Sequence, residues 1–112
     1  MFRAKSILKS CAYVVGLLAL GVFAGNVSAQ TPGEALYKTK CAACHGADGK
    51  GETPSGKANK LQDLGSAEVQ KLSDDELNTI IASGKGKMPA YGKSLKPEQI
   101  KELVAFTRSL KK

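Results

Sequence analysis

The residues best equipped for chemistry lie together at Cys41-Ala42-Ala43-Cys44-His45. Two thiols three positions apart on a helical turn face the same side, and the next residue supplies an imidazole. This C-x-x-C-H spacing is the attachment pattern of c-type haem. Each thiol can form a thioether with one vinyl group of a porphyrin, and the adjacent histidine is then directed at the iron. Other chemistries fit these residues less well. A redox-active C-x-x-C accompanies a βαβ pattern, which this chain lacks. A structural zinc site takes about four ligands; two cysteines and one histidine fall short. A plain disulfide between Cys41 and Cys44 suits an exported protein but leaves His45 without a role.

A haem iron has a second axial position to fill. Residues 30–112 contain one histidine, His45, and one methionine, Met88, so ligation by two histidines of this chain is ruled out. Met88 lies in Gly86-Lys87-Met88-Pro89-Ala90-Tyr91-Gly92, a stretch that two glycines and a proline hold away from helix. A lone methionine commonly fills a core, but this one sits in a polar loop. His45 and Met88 are therefore the expected axial pair. A soft, neutral thioether favours Fe(II) and raises the potential relative to a second histidine. With both axial positions filled, no open site remains for a substrate. The expected role is electron transfer with no catalytic residue, since no histidine is left for distal acid–base work.

The elements that must hold these residues read as helices. Pro32 suits a first helical turn and opens a segment running into Cys41. Residues 45–60 hold four glycines, one proline and many polar residues, and read as a long loop. Ser66 can cap a short helix over Ala67–Lys71. Ser73-Asp74-Asp75-Glu76 has the form of a capping box and starts a helix with Leu77, Ile80 and Ile81 on its apolar face and Gly84 as its stop. Residues 85–96 form a second loop. Pro97 opens a last helix whose apolar face is Ile100, Leu103, Val104, Phe106 and Leu110. Lys96 is a poor N-cap, so this start leans on Ser94 or on solvent. No stretch alternates as a strand would, and the expectation is an all-α single domain of about four helices.

The whole chain has 112 residues and a formal charge of +7. Its first segment distorts that total. Arg3, Lys5 and Lys9 precede the apolar run Cys11–Gly25, and Val27-Ser28-Ala29 follows as a small-residue cleavage pattern. This order reads as a secretory signal peptide over residues 1–29, with a run too short for the roughly 20 residues of a membrane span. Residues 30–112 then form the domain, with 83 residues and a charge of +4. A chain of that size buries a marginal core unless something else supplies apolar surface.

On these motifs the sequence resembles a small class I cytochrome c with one haem. Gly33 and Tyr37 match the small and aromatic pair of the family's N-terminal helix. Leu103, Val104 and Phe106 match the apolar patch of the C-terminal helix that crosses it. Cys41, Cys44, His45 and Met88 fall on the thioether and axial positions, and the M-P-A-Y-G run is similar to that of short bacterial and photosynthetic members and of haem subunits of some terminal oxidases. The resemblance implies the small cytochrome c fold wrapped around one haem c, held by two thioethers. It also implies a backbone carbonyl, with Pro54 as the candidate, accepting a bond from the second nitrogen of His45. Tyr91 is placed either near the methionine ligand or a propionate, or as a packing ring.

Thirteen of the fourteen basic residues in 30–112 are lysines, the exception being Arg108. Nucleic-acid recognition favours arginine, so no nucleic-acid partner is expected. Lys38, Lys40, Lys85, Lys87 and Lys93 flank the haem motif and Met88, and would steer an acidic redox partner of a respiratory or photosynthetic chain. The expected protein is a periplasmic monomer with no membrane span after cleavage. Two other roles stay open: a haem subunit of a larger membrane oxidoreductase complex, and a sensor or peroxidase whose methionine dissociates.

Overall fold

The computed structural model describes Gly25 and residues 28–112. Apart from Gly25, Ser28 and Ala29, the expected signal peptide lies outside the described residues. Six helical segments follow in order: α1 (Pro32–Lys40), α2 (Ala42–His45), α3 (Pro54–Ala58), α4 (Ala67–Gln70), α5 (Asp74–Ser83) and α6 (Pro97–Ser109). Among the described residues there is no strand, only an isolated bridge between Lys85 and Met88. The helices exceed the expected four for two reasons. The Cys-x-x-Cys-His motif closes a turn of its own, and the stretch 45–60 contains α3. That helix has a start signal that the glycine content masks: Thr53 Oγ1 accepts from the Gly56 N–H at 2.9 Å, and Pro54 occupies the first turn.

Side chains also cap α1, α4 and α5. Thr31 Oγ1 accepts from the Glu34 N–H at 3.1 Å. Ser73 and Glu76 form the reciprocal pair, with Ser73 Oγ accepting at 3.1 Å and a Glu76 carboxylate oxygen accepting the Ser73 N–H at 2.6 Å. At α6, expected to lean on Ser94 or on solvent, Ser94 is not the cap. The Lys96 N–H donates to Gln99 Oε1 at 2.9 Å, while the Ser94 hydroxyl turns back to the Tyr91 carbonyl.

Helix α6 is the packing partner of both α1 and α5. It meets α1 at Gly33, where a Cβ would lie 2.3 Å from the Glu102 carbonyl oxygen. Only a glycine permits backbones this close. Beside that crossing the Tyr37 and Phe106 rings meet at 4.6 Å between centroids, tilted by 42°. One cluster of buried side chains joins Tyr37, Leu95, Ile100 and Leu103. A second joins Val69, Leu77 and Val104 under α4 and α5. On α5, Leu77 and Ile81 face this core, whereas Ile80 lines an open groove with Leu72, Asp75 and Glu76. Arg108 fastens α4 to α6: Nη1 donates to the Gln70 carbonyl at 3.0 Å, Nη2 donates to the Leu72 carbonyl, and Nε donates to Asp74 at 2.9 Å.

Candidate haem-binding site

Cys41, Cys44 and His45 share the single turn at α2. The His45 N–H bonds the Cys41 carbonyl at 2.9 Å and the Cys44 N–H bonds the same oxygen at 3.2 Å. Both cysteines are free thiols, Cys41 half-buried and Cys44 exposed. The turn is held from three sides. Tyr37 donates its buried hydroxyl to the Gly46 carbonyl at 2.6 Å. Thr53 donates to the Cys44 carbonyl at 2.6 Å, and the Gly51 N–H donates to the His45 carbonyl at 2.7 Å. Ser55 places its hydroxyl 3.4 Å from Cys44 Sγ. Sequence reasoning passed over Thr53 and Ser55; the Thr-Pro dipeptide that starts α3 was the available signal.

Burial sets the chemistry of these groups. It pushes the Cys41 thiol up to about 11, with the neighbouring Cys44 thiol acting in the same direction. Burial also holds the His45 imidazole below its ordinary value. The ring is thus neutral near pH 7, the form whose nitrogen can ligate a metal. His45 Nδ1 is buried and has no hydrogen-bond partner among the described residues. The expected bond to a carbonyl at Pro54 is not formed; Pro54 instead starts α3.

Met88 is half-buried on the loop between α5 and α6. The Met88 N–H donates to the Lys85 carbonyl at 2.9 Å and the Lys85 N–H donates to the Met88 carbonyl at 3.2 Å. This tight turn needs Gly84 and Gly86, both at positive φ (77° and 57°). At Gly84 a Cβ would also come within 2.6 Å of the Met88 carbonyl oxygen. Of the two roles expected of Tyr91, the packing ring is the one found, and its hydroxyl donates to the Lys40 carbonyl at 3.1 Å. Its ring packs against the Tyr37–Leu103 cluster, so the tyrosine both packs and bridges.

These residues fit a covalently held haem on their own chemistry. Two free thiols sit on one turn with a neutral, half-buried imidazole, and a thioether is carried on a separately anchored loop. The crossed α1 and α6, the motif turn between α1 and α3, and the methionine loop define a class: small all-α cytochromes c of class I.

Comparison with known proteins gives the family. The description "Cytochrome C oxidase, cbb3-type, subunit III" matches residues 28–106. Cytochrome c6 of Gloeothece citriformis is 32% identical over 84 residues, covering 75% of this chain and 71% of that protein. The cbb3-type cytochrome c oxidase subunit FixP of Azorhizobium caulinodans is 31% identical over 90 residues, but this chain spans only 30% of its length. Among solved structures, the c-type cytochrome KustC0563 superposes with a TM-score of 0.67 at 35% identity, over 71% of this chain and 98% of that one. The chain belongs to the cytochrome c family. It is an electron-transfer haem protein, and the family implies a haem c cofactor.

Proposed function

We propose that the chain is an exported carrier that passes single electrons between proteins of a redox chain. It holds one haem c through thioethers to Cys41 and Cys44, with His45 and Met88 as axial ligands. The observation that carries this reading is the motif turn: two free thiols and an imidazole on the single turn at α2, clamped by Tyr37, Thr53 and Gly51. The bound haem supplies the Fe(III)/Fe(II) couple. The protein keeps His45 neutral and oriented, holds Met88 on a tight turn, and shields both from water. Residues 1–29 act as the export signal, which delivers the domain to the periplasm where such attachment takes place.

Docking is electrostatic in this reading. Lys40, Lys85, Lys87 and Lys93 are exposed. The Tyr91 bond to Lys40 brings the end of α1 beside the loop that carries the other three. Lys38 drops out of the expected set, because its ammonium pairs with Glu34 at 2.9 Å. An acidic face on the partner would complement the remaining four.

The test is Met88→Ala in the holoprotein. Covalent haem is retained, the sulfur-to-iron charge-transfer band is lost, the potential falls, and cyanide or CO binds. An unchanged spectrum would show that Met88 is not a ligand. A second reading, a haem subunit of a membrane oxidase, is favoured by the cbb3-type family description. Co-purification with a membrane complex at fixed stoichiometry separates it from a free carrier.

A further inference from the structure

We infer that Tyr91 is a positioning residue for Met88: its hydroxyl ties the methionine loop to the histidine half of the site and so keeps the sulfur in place. The inference rests on Met88 serving as an axial ligand.

The geometry separates the site into two halves. The histidine half is α1, α2 and α3, joined by bonds between residues close in sequence. The sulfur half is α5 and the loop after it. That loop is fastened to its own helix by the backbone, with the Tyr91 N–H on the Ile81 carbonyl at 3.0 Å and the Gly92 N–H on the Ala82 carbonyl at 2.9 Å. Packing of both halves on α6 joins them through the core. The direct link is the Tyr91 hydroxyl, which donates to the Lys40 carbonyl at 3.1 Å across 51 positions of sequence. Lys40 ends α1, so its carbonyl has no acceptor role within that helix. It also immediately precedes Cys41, the first residue of the motif turn.

The Tyr91 ring is held against the Tyr37–Leu103 cluster, so the hydroxyl acts from a fixed point. Its bond spans the two segments that carry the axial ligands. A neutral thioether binds Fe(III) more weakly than Fe(II). Retention of Met88 in the oxidised protein therefore depends most on how the loop is held. Deleting the hydroxyl removes roughly one hydrogen bond's worth of resistance to opening, which corresponds to about a fivefold change in an equilibrium.

The experiment titrates ferric holoprotein with imidazole, which competes with Met88, and follows loss of the sulfur-to-iron charge-transfer band. Wild type, Tyr91→Phe, Tyr91→Leu, Met88→Ala and Arg108→Lys are compared, with thermal midpoints recorded for each. Tyr91→Phe binds imidazole about fivefold more tightly than wild type, and Tyr91→Leu gains at least as much. Arg108→Lys lowers the thermal midpoint but leaves imidazole affinity within about twofold, which separates positioning from general loosening. The inference is overturned if both Tyr91 variants stay within about twofold of wild type while the wild-type band is present; ligation by Met88 then stands without it. Equal gains in Tyr91→Phe and Arg108→Lys also overturn it, as a merely structural effect. If wild type lacks the band and Met88→Ala leaves imidazole affinity unchanged, the ligation reading fails and takes the inference with it.

Discussion

Gly33→Ala tests the helix crossing on which the site is built. The added Cβ would lie 2.3 Å from the Glu102 carbonyl oxygen and 2.8 Å from its carbon. Carbon and carbonyl oxygen rest at roughly 3.3 Å across helix interfaces, so α1 and α6 must separate by about 1 Å. The obstacle is backbone, and no rotamer change relieves it. A gap of about 0.5–1 Å forfeits a quarter to a half of each dispersion contact it opens. The contacts at stake include the Tyr37–Phe106 pair and the Leu103 packing. Overpacking of this kind costs about 1–3 kcal/mol, offset by at most about 1 kcal/mol of alanine's helix preference over glycine. The expected net loss is about 1–2 kcal/mol, or a thermal midpoint lowered by roughly 4–16 °C for a domain of this size. Guanidinium and thermal unfolding of the holoprotein, followed by circular dichroism, give the value. The absorption spectrum of the folded variant should match wild type, because the crossing lies away from the motif turn. A midpoint equal to or above wild type would refute the reasoning: the crossing would then tolerate a side chain, and close backbone approach would not organise the fold.

Arg108→Lys should cost about 1–2 kcal/mol, because a single ammonium cannot serve the Gln70 and Leu72 carbonyls and Asp74 together. Asp74→Asn should cost less than half of that, since the Asp74 carboxylate is 75% exposed and surface ion pairs contribute little; denaturant titration of the two variants checks the order. Electron exchange with an acidic partner should slow steadily as the Debye length falls from about 10 Å at 0.1 M salt to about 3 Å at 1 M. Charge reversal at Lys87 should flatten that dependence in stopped-flow traces, and rates indifferent to salt would remove the electrostatic docking.

What could be read in the sequence was local. The motif turn, the Ser73–Glu76 box and the proline-initiated α1 and α6 each rest on residues within one or two helical turns, where spacing dictates geometry. The same locality marks α3, where Thr53-Pro54 outweighs the glycines around it. What escaped the sequence were bonds between distant positions. Tyr91 and Lys40 stand 51 positions apart, Arg108 and Gln70 stand 38 apart, and the acceptor in each case is a backbone carbonyl, which any residue type supplies. No pattern of side chains marks such a partner. The failed expectation for Pro54 has the same root. A proline marks the first turn of a helix as readily as a carbonyl acceptor, and here Pro54 opens α3 while His45 Nδ1 has no partner among the described residues.

The two fastenings between the halves of the site are unequal, and that inequality has a consequence for how the protein moves. Through α6 the halves are joined by Gly33 against Glu102, by Tyr37 against Phe106 and by Leu77 beside Val104. Opening that side breaks much of the core. Across the other side the Tyr91 ring packs against the Tyr37–Leu103 cluster, and its exposed hydroxyl bond to Lys40 adds about 1 kcal/mol. The His45 turn is clamped by three short bonds from Tyr37, Thr53 and Gly51, whereas the Met88 turn closes on itself through Lys85. Local opening follows the cheapest set of contacts to break. Excursions in this site should therefore carry Met88 and its loop outward while His45 and both cysteines stay fixed. Hydrogen exchange of the Met88 and Tyr91 amides should then be faster than that of the His45 and Gly51 amides, and the reverse order would contradict the division into a rigid histidine half and a yielding sulfur half.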